Sequence, residues 1–359
     1  MARKIMPQPE PLYVVMGVDT HKDLHVARAK DQVGRLLGEL TVPAETTGYR
    51  KLQAWAHRFG EVDSWGIEGT GCYGAGLSRY LREHGEEVIE VIRPNRKERR
   101  DNGKSDPADA DAAAMAVLSG KAKARAKAGD GTVEMIRVLR VARASAIKAR
   151  TQTANVLQAL VVTAPAPLRE SLHTVSTINL VSICARSRPG QMSDATSATK
   201  SALRSLAVRY EHLDAEIAAL ERELNRLVPK AAPELIARFG VGPETAGQLL
   251  VTAGDNPDRL DSDASFSMLC GSSPLDASSG KQKHHRLNRG GDRHANSALY
   301  HIVICRMRHD PRTKQYVAKR TAEGKTTKEI IRCLKRYVAR EIYGVLKNMQ
   351  HTSAVTTAA

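Results

Sequence analysis

The chain of 359 residues carries a formal net charge of +16 and only 4% aromatic residues. That length supports a sizeable core and about two domains with a connector, and the charge makes an acidic polymer the first partner to consider. Few aromatics weigh against many base-stacking platforms, no apolar run is long enough to span a bilayer, and no apolar h-region marks a secretory signal. The five cysteines (Cys72, Cys184, Cys270, Cys305 and Cys333) lack C-x-x-C spacing and read as reduced thiols of a cytoplasmic protein.

In chain order, Tyr13–Asp19 is a short β-branched run that predicts a buried strand ending on a carboxylate. Leu24–Ala29 and Leu37–Val42 predict two more strands, with Asp31 and Gly34 in the turn between them. Thr46–Phe59 predicts a helix from the spacing of Leu52, Trp55 and Phe59. Trp65–Glu68 predicts a strand, Ala75–His84 a helix, Glu87–Ile92 a strand and Asp106–Leu118 an alanine-rich helix. Three strands followed by alternating helices and strands predict an α/β domain with a mixed sheet over residues 1–125.

Residues 126–231 read as a helical connector. Val133–Leu160 predicts a helix, Pro165 and Pro167 interrupt the pattern, and residues 186–200 predict a loop. Leu203, Leu206, Tyr210, Leu213, Ile217, Leu220, Leu224 and Leu227 then step alternately by three and four, a heptad seam that Pro229 is expected to end. Either the earlier helix or a second copy of the chain can close this coiled coil. Spacing does not choose between them.

Residues 232–359 read as an all-α, basic domain. Leu235–Phe239, Gly240-Val241-Gly242 and Pro243–Val251 have the pattern of a helix-hairpin-helix turn, whose amides at Gly240 and Gly242 can hold phosphate. An ordinary αα turn needing glycine has the same pattern. Between Lys281 and Arg340, 17 Lys/Arg stand against 4 Asp/Glu, a surplus of 13 within a chain total of 16. Such concentrated charge needs a counterion, and a phosphate backbone supplies one.

Four acids are candidates for shared chemistry. Asp19 and Glu68 end apolar runs, and Asp106 and Asp109 sit three apart on one face at the start of a helix. Together they would suit a hard divalent cation, whereas each alone reads as a surface acid or cap. Ser105-Asp106-Pro107 is itself a good helix start, with an N-cap acid and proline at the first helical position. Asp111 points elsewhere and serves as an internal control. His21 and Lys22 read as phosphate contacts or as a solvated loop. Gly69-Thr70-Gly71-Cys72-Tyr73-Gly74 fits a dinucleotide fingerprint with Glu90 downstream, but it follows a late strand rather than the first of a βαβ series.

Taken in order, several motifs carry a resemblance that covers nearly the whole chain. They are Gly17-Val18-Asp19-Thr20-His21-Lys22, Ile67-Glu68-Gly69-Thr70-Gly71, Lys104-Ser105-Asp106-Pro107-Ala108-Asp109-Ala110, and Cys270-Gly271-Ser272-Ser273-Pro274 through Ser278-Ser279-Gly280 to the basic Gly290-Gly291-Asp292-Arg293. The sequence resembles the DEDD transposases of a bacterial insertion-sequence family, the bridge-RNA-guided recombinases. It departs from that pattern at Gly69 and Cys270, where alanine is commoner.

The resemblance implies a ribonuclease H-like, resolvase-like N-terminal domain in which Asp19, Glu68, Asp106 and Asp109 hold Mg²⁺. It implies that Ser279 is the nucleophile joined covalently to DNA, with Ser278 leaving the register open. Lys281, Lys283 and Arg286 would supply positive charge beside the reacting phosphate, and Arg289 and Arg293 are further candidate nucleic-acid contacts. Partners expected on this basis are DNA at element ends and target, a guide RNA, and further copies of the chain in a dimer or tetramer. Localisation would be cytoplasmic, on the nucleoid. Two alternatives stay open: a metal-dependent junction nuclease using water, and a non-catalytic nucleic-acid-binding protein.

Overall fold

β-Branched residues and tight turns build the first layer of the computed structural model, which describes residues 13–91, 105–256, 259–280 and 285–357. β1 (Val14–Thr20) is buried along its whole length and pairs antiparallel with β2 (Leu24–Asp31), which pairs antiparallel with β3 (Leu36–Pro43). The β2–β3 turn closes because the Asp31 carboxylate accepts from the Val33 and Arg35 amides while Gly34 takes φ +85°. α1 (Thr46–Ala56), β4 (Val62–Glu68), α2 (Ala75–Glu83) and β5 (Val88–Val91) follow. The sheet order is β3-β2-β1-β4-β5, with β1, β4 and β5 parallel. This mixed sheet agrees with the expected α/β class and is consistent with a ribonuclease H-like domain. The helix expected to reach Phe59 ends at Ala56, and His57–Phe59 tightens into a 3₁₀ turn.

One buried carboxylate ties this layer together. Glu86 accepts hydrogen bonds from Gln53 of α1, Trp65 of β4 and His57 of the 3₁₀ turn, at 2.8, 2.8 and 2.7 Å. Burial works to raise its pKa, but these donors outweigh burial and hold the Glu86 carboxyl below its usual range. An acid with a depressed folded pKa contributes stability above its unfolded pKa and loses it as pH falls through the folded value. Glu86→Gln is therefore expected to lower stability at neutral pH by about 1–3 kcal/mol. Its unfolding midpoint should also fall less steeply between pH 5 and pH 3 than that of the parent (~pH values bracketing a carboxylate). Denaturant melts at several pH values check both points.

α3 (Asp106–Leu118) lies on this sheet. Its alanine face of Ala110, Ala113 and Ala114 is buried, and the strands meet it with glycine. A Cβ at Gly17 would stand 2.0 Å from the Ala110 carbonyl oxygen, and one at Gly66 2.8 Å from that of Ala113. Glycine on β1 and β4 thus lets backbone approach backbone. The helix begins differently from expectation. Ser105 is the N-cap, its hydroxyl accepting from the Ala108 amide, so Asp106 occupies the first turn without being spent on the cap.

The remaining elements are helical apart from one hairpin. They are α4 (Thr132–Val162), α5 (Ala166–Leu172), α6 (Thr177–Arg186), α7 (Ala195–Ala231), α8 (Pro233–Ile236), α9 (Pro243–Ala253), α10 (Asp263–Leu269), β6 (Leu275–Asp276), β7 (His285–Arg286), α11 (Arg293–His309), α12 (Pro311–Ala322) and α13 (Thr327–Thr357). The described residues divide into two compact units that interleave along the sequence. One contains those up to Glu134, Leu250–Tyr300 and the residues from Lys319 onward; the other contains Met135–Leu249 and His301–Ala318. Within the first unit, Asn256 and Asp255 receive the backbone amides of Ala128, Gly129 and Gly131, and Arg259 pairs with Glu90 at 3.2 Å. α10 is pinned to α13 by Arg336 and Arg340 on Asp263. No helix among the described residues is long and apolar enough to cross a membrane.

In the second unit the heptad seam closes within the chain. α4 and α7 run antiparallel, as the pairs Arg143–Glu221 and Arg150–Asp214 require, and Leu157 and Val161 of α4 share a core with Leu203 and Ala207 of α7. Leu203, Ile217, Leu224 and Leu227 are buried. Pro229 does not end the helix at once, and the helix stops two residues later at Ala231. The expected loop is shorter than its composition suggests, because Asp194 and Ser197 form a capping box that starts α7 at Ala195. Leu203→Ala is expected to cost about 2–5 kcal/mol in urea unfolding. Glutamate at both Leu213 and Leu220 should unfold this hairpin while light scattering of the still-folded fraction gives the parent's particle mass.

Candidate metal centre and nucleic-acid interface

Parallel pairing puts the ends of β1 and β4 side by side. Val18 is in register with Ile67, so Asp19 and Glu68 emerge together, and Thr20 Oγ1 donates to the Glu68 carbonyl at 2.8 Å to hold the two tips. Ser105 starts α3 directly against them, which brings the first-turn residues Asp106 and Asp109 to the same place. Both strand-tip acids are 6% exposed.

Asp19 feels the charges around it. Burial pushes the Asp19 carboxyl up, His21 opposes this, and Asp109, Glu68 and Asp106 push it further up. The crowding is a cost in the protein alone, since like charges in a partly dry site disfavour ionisation. His21 is the residue that sequence reasoning placed too loosely. Its Nε2 stands 3.1 Å from Asp19 Oδ2 and 3.3 Å from Asp106 Oδ1. Asp19, His21 and Asp106 each offer a ligand atom within 4.8 Å of the others. The signal was available in principle: residues two apart at the end of a strand share a face.

The donor set fits a divalent cation. Asp19 Oδ2 and His21 Nε2 are buried and face each other at 3.1 Å without a well-formed hydrogen bond among the described residues, an arrangement a cation between them would satisfy. Oxygen-rich sites suit Mg²⁺ and Mn²⁺, and one imidazole makes the set more welcoming to a transition metal than oxygens alone. A cavity of about 680 Å³ opens beside them, bounded by His21, Lys22, Asp106, Pro107 and Tyr73. Lys22 is exposed on that wall.

Other expected residues fall elsewhere. Asp111 faces away from the acids, as the helix requires, but it is not idle: Lys30 Nζ reaches it at 2.8 Å and Arg28 at 3.4 Å. Glu90, the acid a dinucleotide would need, is paired with Arg259, and Gly69 at φ +73° simply turns the chain off β4. Around the Gly-x-Gly turn, Gly240 takes φ +78°, and the Gly242 amide that could meet phosphate donates instead to Thr245 Oγ1 at 3.1 Å. Arg140 and Arg143 beside it are paired with Glu244 and Glu221.

Ser279 is exposed in the segment between β6 and β7, directly before Gly280 at φ +58°. Ser278 differs: its amide and hydroxyl both donate to the Asp276 carboxylate. Among the described residues, the charges acting on Asp19 come from His21, Asp109, Glu68 and Asp106. Arg286, Arg289 and Arg293 are exposed along β7, the loop after it and the start of α11. Lys281 and Lys283 lie outside the described residues.

Residues 16–164 match the DEDD model of IS110-type proteins, described as a transposase, and residues 234–318 match the model described as the transposase IS116/IS110/IS902 family. Over 133 residues, 36% of the chain, the sequence is 31% identical to the insertion element IS110 uncharacterized 43.6 kDa protein of Streptomyces coelicolor. That match spans 33% of the relative's own length.

Proposed function

The chain belongs to the IS116/IS110/IS902 family of transposases, and from that premise we propose that it cuts and rejoins DNA at the ends of an insertion element and at its target. The observation that carries this reading is the group of Asp19, His21 and Asp106, with ligand atoms within 4.8 Å of one another and the charges of Glu68 and Asp109 acting on Asp19. These four acids, with His21, would hold Mg²⁺ or Mn²⁺. Such a cation polarises the scissile phosphate, stabilises the leaving oxygen and lowers the pKa of an attacking hydroxyl.

Ser279 supplies that hydroxyl. Its Oγ forms a bond to phosphorus while the bond from phosphorus to the neighbouring sugar oxygen breaks. The serine proton is lost, and the departing sugar oxygen gains one. A sugar hydroxyl from the second strand then attacks the serine ester, restores Ser279 and completes the exchange. Arg286, Arg289 and Arg293, with Lys281 and Lys283, balance the phosphate charge. The acids and Ser279 belong to different elements, and the resemblance points to their meeting between two copies of the chain. The resemblance extends the proposal to a guide RNA that selects the target.

Thermal unfolding tests the metal centre. Mg²⁺ or Mn²⁺ at about 100 times its Kd should add about 2.7 kcal/mol to the parent, and EDTA should remove that gain. Asp19→Asn should melt at one temperature in metal and in EDTA. Equal metal gains in parent and Asp19→Asn would place the cation elsewhere.

A further inference from the structure

The hairpin that carries Ser279 also walls a second cavity. Gly271–Pro274 and His285–Asn288 form one side and the start of α13 the other, enclosing about 720 Å³. That volume lies within the range of sites that hold small ligands.

The lining is cationic and poorly compensated. Its carboxylate, Glu329, already accepts from the Thr326 amide and hydroxyl at the start of α13. Lys335, 7% exposed, donates to neutral Asn296 at 2.8 Å, which brings no counter-charge. Arg336 keeps Nη2 on Asp263 at 2.7 Å, yet its Nη1 is buried without a hydrogen-bond partner among the described residues. Arg286, Lys325 and Arg332 line the same space and make no ion pair among the described residues. Tyr337 adds a ring that is 51% exposed.

The charge of Glu329 acts on Lys325 and Arg332, but the cations of the lining outnumber its one carboxylate. Converging cations in that excess call for a multiply charged anion, and an exposed ring beside them calls for a flat apolar group. A nucleotide carries both. In a duplex the base faces are covered by their neighbours, so only an unstacked base can lie on Tyr337. We propose that this cavity takes one unpaired nucleotide, its phosphate against Arg286, Lys325 and Arg332 and its base against Tyr337. The site deepens the strand-exchange reading and rests on it: β7, which follows Ser279 in the chain, also lines the cavity. An acidic peptide would satisfy the cations and leave the ring uncovered.

The test uses the full-length Ser279→Ala protein, so that no strand is cut during titration. A labelled eight-nucleotide DNA strand, the matching RNA strand and a duplex are titrated at fixed salt. Tyr337→Ala should weaken single-strand binding about tenfold, within what stacking one base contributes, and leave duplex binding unchanged. Tyr337→Phe should restore it. Replacing Lys325 and Arg332 with glutamine should weaken the single strand and flatten its salt dependence by about 0.7 per lost contact. Equal losses with RNA would assign the pocket to either strand type; losses with DNA alone would assign it to DNA. Unchanged single-strand binding, equal losses for the duplex, or equally strong competition by polyglutamate would overturn the proposal. The readout is independent of cleavage. These losses without any covalent adduct in the parent would keep the cavity and sink the strand-exchange reading, and the reverse would sink the cavity alone.

Discussion

Ser279→Ala is expected to abolish recombination and the covalent protein–DNA adduct while DNA binding persists. The variant loses one oxygen from an exposed loop position, so neither the sheet nor the acid cluster should change. With no nucleophile, strand transfer should fall by at least about 10⁴-fold, the scale on which removing a nucleophile acts. In the parent, a reaction stalled by a nicked substrate should leave protein on a strand end, resistant to denaturant and released by protease. Ser278→Ala should be far milder. Its hydroxyl is engaged by Asp276, so the loss is a local turn contact. Ser279→Cys should retain slight activity, since thiolate is a good nucleophile but a soft partner for a hard cation. Wild-type cutting by Ser279→Ala would make water the nucleophile and the protein a junction nuclease.

Asp19→Asn, Glu68→Gln and Asp109→Asn should each lower strand cleavage by about 10³-fold or more, several kcal/mol of lost charge stabilisation. Affinity for DNA should hold or rise, because a negative charge near phosphate is gone. Asp19→Asn has a second expected effect. Its carboxyl is pushed up in the folded protein, so ionising it opposes folding, and in EDTA at neutral pH the variant should be more stable than the parent. Asp111→Asn should behave in the opposite way. It should leave cleavage per folded molecule near the parent's but cost about 1–3 kcal/mol, because Lys30, 6% exposed, keeps only the Gly34 carbonyl. Cleavage rates normalised to the folded fraction separate the two. Equal loss of chemistry at Asp111 would mean that the wrong face of α3 meets the strand tips.

Local pattern by itself determined the strands, the alanine-rich helix, the heptad and the basic C-terminal segment, because each depends on residues within a few positions of one another. Spacing also paired Asp106 with Asp109 and turned Asp111 away. Tertiary structure decided what those elements do to each other. The upper part of the seam of α7 is covered within the chain by Leu157 and Val161 of α4 and by Leu180, Val181 and Cys184 of α6, because apolar stripes in one chain meet without the cost of association, which heptad spacing does not encode. Gly17 and Gly66 became legible only once α3 lay on them, since a missing side chain signals nothing until another backbone fills its place. The same approach delivers Asp106 to Asp19 and makes His21 a neighbour of both, a relation across 85 residues of chain that no local period contains. Ser105 took the helix cap and left Asp106 available, a choice between adjacent residues set by the extended backbone at Ser105 and its hydroxyl's bond from the Ala108 amide.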